Sequence, residues 1–141
     1  MTILKWSDDY LTGIPMIDSD HRTLFDLVNL MDDEFSGPPP RDTAAMANVF
    51  QALVDYVEYH FQREEQMLSE AGYGGLDGHQ AAHRKLAGRV LRFKETFEQD
   101  QKGFDAGPAL GFLSDWLSSH ILETDMNYVA HVKTESGPGT D

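Results

Sequence analysis

Two pairs of metal-competent side chains, each pair four residues apart, flank a glycine-rich break. They are His60-Phe61-Gln62-Arg63-Glu64 before it and His79-Gln80-Ala81-Ala82-His83 after it. On a helix that spacing puts both members of a pair on one face, one turn apart. The break Ala71-Gly72-Tyr73-Gly74-Gly75 reverses the chain. The two helices therefore run antiparallel and can aim four donors into one space, which the remaining chain has to close from the other side.

The rest of the sequence supplies that closure. Residues 1–17 carry Trp6, Tyr10, Ile14 and Ile17 without a helical period, and read as an extended arm turning near Gly13 and Pro15. A helix is expected to start at Asp18, Ser19 or Asp20, all good N-caps. Its apolar stripe is His21, Leu24, Phe25, Val28, Met31 and Phe35, and Ser36-Gly37-Pro38-Pro39-Pro40 stops it. The second stripe, capped by Asp42 or Thr43, runs Met46, Val49, Leu53, Tyr56, Val57, His60, Glu64, Met67 and Leu68. Asp77 and Gln80 have the spacing of a capping box before the third, which is His79, His83, Leu86, Val90, Phe93 and Phe97. The fourth opens at Gly107-Pro108 and runs Leu110, Leu113, Trp116, Leu117, His120, Ile121, Thr124, Asp125 and Tyr128. Four helices, short connectors and no β pattern predict an all-α, up-down-up-down four-helix bundle with an extended N-terminal arm. Residues 1–134 make one domain, and 135–141, small and polar, are expected to be a disordered tail.

Five of the six histidines, together with Glu64 and Asp125, fall on these stripes. A single histidine among leucines is ordinary core chemistry, but the set is not. Two buried carboxylates without a nearby Lys or Arg would cost several kcal/mol each, on the order of the usual desolvation penalty. Five imidazoles would need partners that Leu, Val and Phe cannot supply. Two metal cations satisfy all seven groups. Imidazole with carboxylate and no thiolate suits iron, zinc or manganese, and the absence of cysteine removes thiolate sites and disulfides. Seven donors exceed one structural zinc site. Neither His-Glu-x-x-His nor Glu-x-x-His occurs, so the zincin and ferritin-type helices are absent. Asp125 follows His120 by five residues, about 140° round an ideal helix, and is expected to reach across rather than stack on it.

These residues resemble the hemerythrins, and more closely the single-domain bacterial hemerythrins, over residues 4–132. The resemblance rests on Trp6 and Tyr10, Ile17-Asp18-Ser19-Asp20-His21, His60-Phe61-x-x-Glu64 and Gly72-Tyr73. It continues through His79-x-x-x-His83 and Trp116-Leu117-x-x-His120-Ile121-x-x-x-Asp125-x-x-Tyr128. It implies that His79, His83 and His120 hold one iron, His21 and His60 a second with an open position, and that Glu64, Asp125 and an oxo or hydroxo group bridge them. It further implies O2 bound end-on at the open iron as hydroperoxide, reversibly, in a pocket of Leu24, Phe61, Trp116, Leu117 and Ile121. Oxygen storage, delivery or buffering by a non-enzyme is the expectation. An O2 or redox sensor working through a separate partner is one alternative, and a di-iron enzyme consuming peroxide or nitric oxide is another.

The formal net charge of -13 argues against nucleic acid and anionic membranes as partners. No apolar run approaches the roughly 18 residues of a membrane span, and no signal peptide is read at the N-terminus. A cytoplasmic monomer is therefore expected, with an O2-receiving or redox protein partner left open. His131, three turns past His120, is expected at the bundle end. Tyr56, Tyr59 and Tyr128 are read as packing groups or as neighbours of the ligands.

Overall fold

The computed structural model describes residues 3–38 and 40–136, with 133–136 as backbone alone. Among these residues the chain is helical without strands. α1 spans Pro15–Phe35, α2 Thr43–Glu70, α3 Leu76–Gln99 and α4 Gly107–Ser119, followed by a π-helical turn His120–Asp125 and α5 Met126–Ser136. The last three elements form one rod, so the architecture is the expected four-helix bundle, with α1 packed on α2 and α4, and α2 on α3. No helix among the described residues is long and apolar enough to cross a membrane. The disordered tail expected over 135–141 is corrected at 135 and 136, which continue α5, and its remainder lies outside the described residues, as does Pro39.

The arm is shorter than expected because α1 begins at Pro15, with Ile14 as N-cap. Proline needs no hydrogen-bond acceptor in the first helical turn, and its fixed φ already suits a helix. Asp18 therefore lies inside α1 and folds back over the entry turn. Its Oδ1 accepts from the backbone N–H and hydroxyl of Thr12 (2.8 and 2.7 Å), and its Oδ2 from the N–H of Gly13 (3.1 Å). Asn29 holds the start of the arm, accepting from Ile3 and Leu4 N–H and donating to the Leu4 carbonyl. Trp6 and Tyr10 pack edge-on against Phe25, at 5.1 and 4.9 Å.

Asp42 caps α2 as expected, accepting from Ala45 N–H. At the far end Gly72 takes a φ of 66°, and Tyr73 N–H bonds back to the Leu68 carbonyl, a Schellman closure that suits glycine. α3 starts at Leu76 on Gly75 with no side-chain cap, so the capping box expected from Asp77 and Gln80 does not form. The helix begins two residues too early for Asp77 to be its N-cap.

The interior has two apolar clusters. The larger includes a knot of Phe35, Phe50, Phe97 and Phe104, with ring centroids between 5.4 and 6.2 Å apart. The smaller, Leu68, Tyr128 and Val132, lies where α5 meets the α2–α3 turn.

Candidate metal centre

All four rods contribute to a buried polar cluster. α1 brings His21, α2 His60 and Glu64, α3 His79 and His83, and the π turn His120 and Asp125, none more than 7% exposed. The pairs at i and i+4 stand one above the other as their spacing requires. Two groups of donors form, Glu64 with His79, His83 and His120, and His21, His60, Glu64 and Asp125, each with its ligand atoms within 4.8 Å of one another.

Each carboxylate divides its oxygens between the two histidine sets. Glu64 Oε1 lies 2.5 Å from His79 Nε2 and 2.9 Å from His83 Nε2, whereas Oε2 lies 3.5 Å from His60 Nε2 and 3.8 Å from His21 Nε2. Asp125 Oδ1 faces His120 (2.8 Å) and His79 (3.3 Å), and Oδ2 faces His21 (3.0 Å).

The π turn sets the distance between Asp125 and His120. Hydrogen bonds of the i→i+5 kind widen the helix locally, so Asp125 comes closer to the His120 face than the roughly 140° of an ideal helix, while its Oδ2 reaches across to His21 as expected. The extra residue carries forward along the rod. His131, eleven residues past His120, would lie about 20° from its line on an ideal helix. Instead Val132 takes the buried line, at 6% exposure, and half-buried His131 donates from Nε2 to the Ala71 carbonyl (2.7 Å) at the bundle end.

Partners outside the cluster orient it. Asp20 Oδ2 accepts from His60 Nδ1 (3.0 Å), and Glu65 Oε2 from His83 Nδ1 (2.7 Å). An ionised carboxylate only accepts, so each fixes its imidazole with the Nε2 lone pair turned inward. Tyr56 donates to Asp20 Oδ1 (3.1 Å), and the Arg63 side chain lies 3.2 Å from Oδ2. Tyr128 donates to Glu64 Oε2 (2.9 Å). Arg63 also bonds Tyr59, which is exposed. In the sequence Asp20 stands out only as a helix cap and a member of the Ile17–His21 block, and Glu65 and Arg63 carry no assigned role. The signal was present, since Asp20 immediately precedes His21 and Glu65 immediately follows Glu64.

Charge in this cluster is strongly displaced. Burial alone would lower His60 and His79, but the Asp20 and Glu64 carboxylates beside it raise His60 to about 9, and the facing Asp125 and Glu64 carboxylates raise His79 to about 9. Burial would raise Glu64, yet four surrounding histidines hold it well below the carboxylate range. Asp125 is lowered too, with burial and the Glu64 charge outweighed by the facing rings of His120, His21 and His79. Burial first, then the charges of Glu64 and Asp125, push the Tyr128 hydroxyl far up, so it stays a donor.

The fit of the cluster to metal is tested by what its atoms lack. Both ring nitrogens of His21, Nε2 of His83 and His120, and both oxygens of Asp125 are buried without a hydrogen bond. They lie near one another, but no donor points at an acceptor. Native interiors leave few such groups. Orphaned acceptors facing a common centre are what cations would coordinate, and the donors fit a pair of them.

Two of the five sequence-selected wall residues stack on this layer. Phe61 stacks on His83 (3.7 Å between ring centroids, 5° between planes) and Trp116 on His120 (4.5 Å, 18°). Leu24, Leu117 and Ile121 are buried in the larger apolar cluster, and Trp116 packs partly buried against it.

Fold and site together define a helical bundle around a buried histidine–carboxylate cluster with two groups of donors that could hold metal ions. The sequence matches the hemerythrin HHE cation binding domain over residues 12–132, and the chain belongs to the hemerythrin family. It is 38% identical over 134 residues to a bacteriohemerythrin of Pseudomonas paraeruginosa, covering 94% of this chain and 84% of the relative. A bacteriohemerythrin of Methylococcus capsulatus is 33% identical over 135 residues, covering 91% and 95%. A crystal structure of wild-type hemerythrin superposes with a TM-score of 0.82 at 27% identity, covering 92% of this chain and 98% of that one.

Proposed function

We propose that this chain binds O2 reversibly at a pair of irons. His79, His83 and His120 would hold one iron, His21 and His60 the other, and Glu64 and Asp125 would be shared between them. Bound there, two ferrous ions supply the electrons that capture O2 and take them back on release.

The observation that carries the reading is the uneven division of histidines around two shared carboxylates, three on one side and two on the other. The side served by His21 and His60 has one protein donor fewer, so the exchangeable position belongs there. The chain's own groups then hold the geometry. Asp20 and Glu65 fix two imidazole orientations, and Tyr128 keeps a hydrogen bond on the Glu64 oxygen facing His60. Leu24, Phe61, Trp116, Leu117 and Ile121 would form the dry wall that keeps water and anions from displacing the bound gas. The polar neighbours Asp20, Glu65 and Tyr128 are each engaged on a ligand rather than turned to a substrate, which favours carriage over turnover.

The test is an absorption spectrum of the iron-loaded protein, reduced without oxygen, aired, then returned to nitrogen. Charge-transfer bands that appear with air and vanish under nitrogen are expected. Bands that form once and persist would replace a carrier with a redox enzyme or an oxidising sensor, and a colourless protein would remove iron from the reading.

A further inference from the structure

The charge of this chain is very unevenly placed. Against a net charge of -13, the stretch from Gly78 to Lys94 has no acidic residue and holds five of the eleven Lys and Arg: Arg84, Lys85, Arg89, Arg92 and Lys94. Lys94 is paired with Glu98 (2.8 Å). The other four are exposed, make no ion pair among the described residues, and line one groove between α3 and α4. The groove measures about 540 Å³, has no acid in its lining, and has Phe112 and Trp116 on its α4 side. Arg89 is held over the Phe112 ring at 4.2 Å. A methyl group added at Gly88, on the α3 side, would meet nothing within 4 Å, so the groove is open there.

The groove also leads inward. Trp116, part of its lining, lies stacked on His120 with centroids 4.5 Å apart, and its other neighbour, Phe61, stacks on His83. The cluster itself is closed to solvent. If it holds irons, any ferric pair formed by oxidation has to be reduced from outside, and this chain has no cysteine to do so. Electrons have to cross the wall, and the aromatic contact from Trp116 to His120 crosses it beneath the one concentration of unpaired cations described.

We propose that the α3–α4 groove is the docking surface for an acidic one-electron carrier protein, and that Trp116 and His120 form the route from it to the irons. This rests on the iron reading above. Each encounter would pass one electron from the carrier to the iron pair, with solvent supplying any proton that a bridging oxygen takes up. Two encounters restore the pair. Complementary charge steers such encounters and can raise association rates by about 10- to 1000-fold at low ionic strength.

Two measurements test it. In the first, the oxidised iron-loaded protein is mixed with reduced flavodoxin, an acidic flavin carrier, or with a small neutral hydroquinone, and loss of the ferric absorption is timed. Lys85→Glu with Arg92→Glu should slow flavodoxin about 10-fold or more and flatten its salt dependence, leaving the hydroquinone rate alone. Trp116→Leu should lower the flavodoxin rate relative to the hydroquinone rate at saturation. In the second, oxidised flavodoxin is titrated into the metal-free protein, and backbone amide shifts are expected on α3 and α4 that the double charge reversal removes. That titration is read without iron, so it stands even if reversible O2 binding fails. A basic carrier such as cytochrome c reducing the protein as fast, or charge reversal without effect, would overturn the proposal. So would a groove that binds citrate but not flavodoxin.

Discussion

The phenylalanine knot and the histidine layer occupy the same bundle interior and solve burial in opposite ways. Phe35, Phe50, Phe97 and Phe104 fill space with groups that ask for nothing but contact. The histidine layer is as well buried but leaves both oxygens of Asp125 and nitrogens of His21, His83 and His120 without hydrogen bonds. One region is complete when the chain folds. The other keeps donors in reserve for cations, and without them its carboxylates hold protons on His60 and His79, both raised to about 9. Stability is stored at one level of the bundle and binding capacity at another.

The comparison breaks first at Glu64. Glu64→Ala removes the one carboxylate common to both donor groups. Metal content measured by mass spectrometry should fall from two per chain to below one, with loss of any oxygenated spectrum. Retention of two would sink the assignment of shared ligands. Phe97→Ala should do the reverse, costing about 3–5 kcal/mol in denaturant unfolding while the variant still takes up two metals. Coupled loss of stoichiometry would mean that the two regions are not separable.

A pH titration sharpens the contrast. In the metal-free protein the raised histidines contribute stability that is full below the unfolded value of about 6.5 and lost as pH climbs through about 9. The lowered carboxylates contribute above about 4 and lose it in acid. Metal-free protein should therefore melt highest between about pH 4.5 and 6.5. Loading should abolish the fall towards pH 9, because metal replaces the protons, and should weaken as pH drops. A metal-free melting curve that rises from pH 6.5 to 9 would contradict protons held on His60 and His79. The smallest effect belongs to Tyr128→Phe, which deletes one hydrogen bond to Glu64 and should cost roughly 1–3 kcal/mol with metal content unchanged.

Much of this was readable in the residues. The i, i+4 pairs around a glycine break place four donors without further information, and the apolar stripes place His21, His120 and Asp125 opposite them. Local chemistry was harder. Pro15 competes with three good N-caps for the start of α1, and wins because a helix entered through proline leaves Asp18 free to satisfy Thr12 and Gly13. The capping box at Asp77 lost to a helix that starts at Leu76. Asp20 and Glu65 look like ordinary surface acids beside a ligand, and only the turn of the bundle shows that they face His60 and His83. The wall of Leu24, Leu117 and Ile121 could not be told from plain core by pattern, since both want the same residues.

The π turn makes the fourth rod two helices slipped out of phase by one residue. A helical wheel drawn through Gly107–Ser119 keeps Tyr128 inward but turns His131 in where Val132 is buried, whereas separate wheels for the two segments place both. Each segment can then answer to a different neighbour, α4 to the metal layer's wall and α5 to the cap over the α2–α3 turn. A substitution that suits one has no register obligation to the other. A single-residue deletion inside His120–Asp125 would restore that obligation, rotating Tyr128 and Val132 away from Leu68 as it drew Asp125 out of the histidine layer.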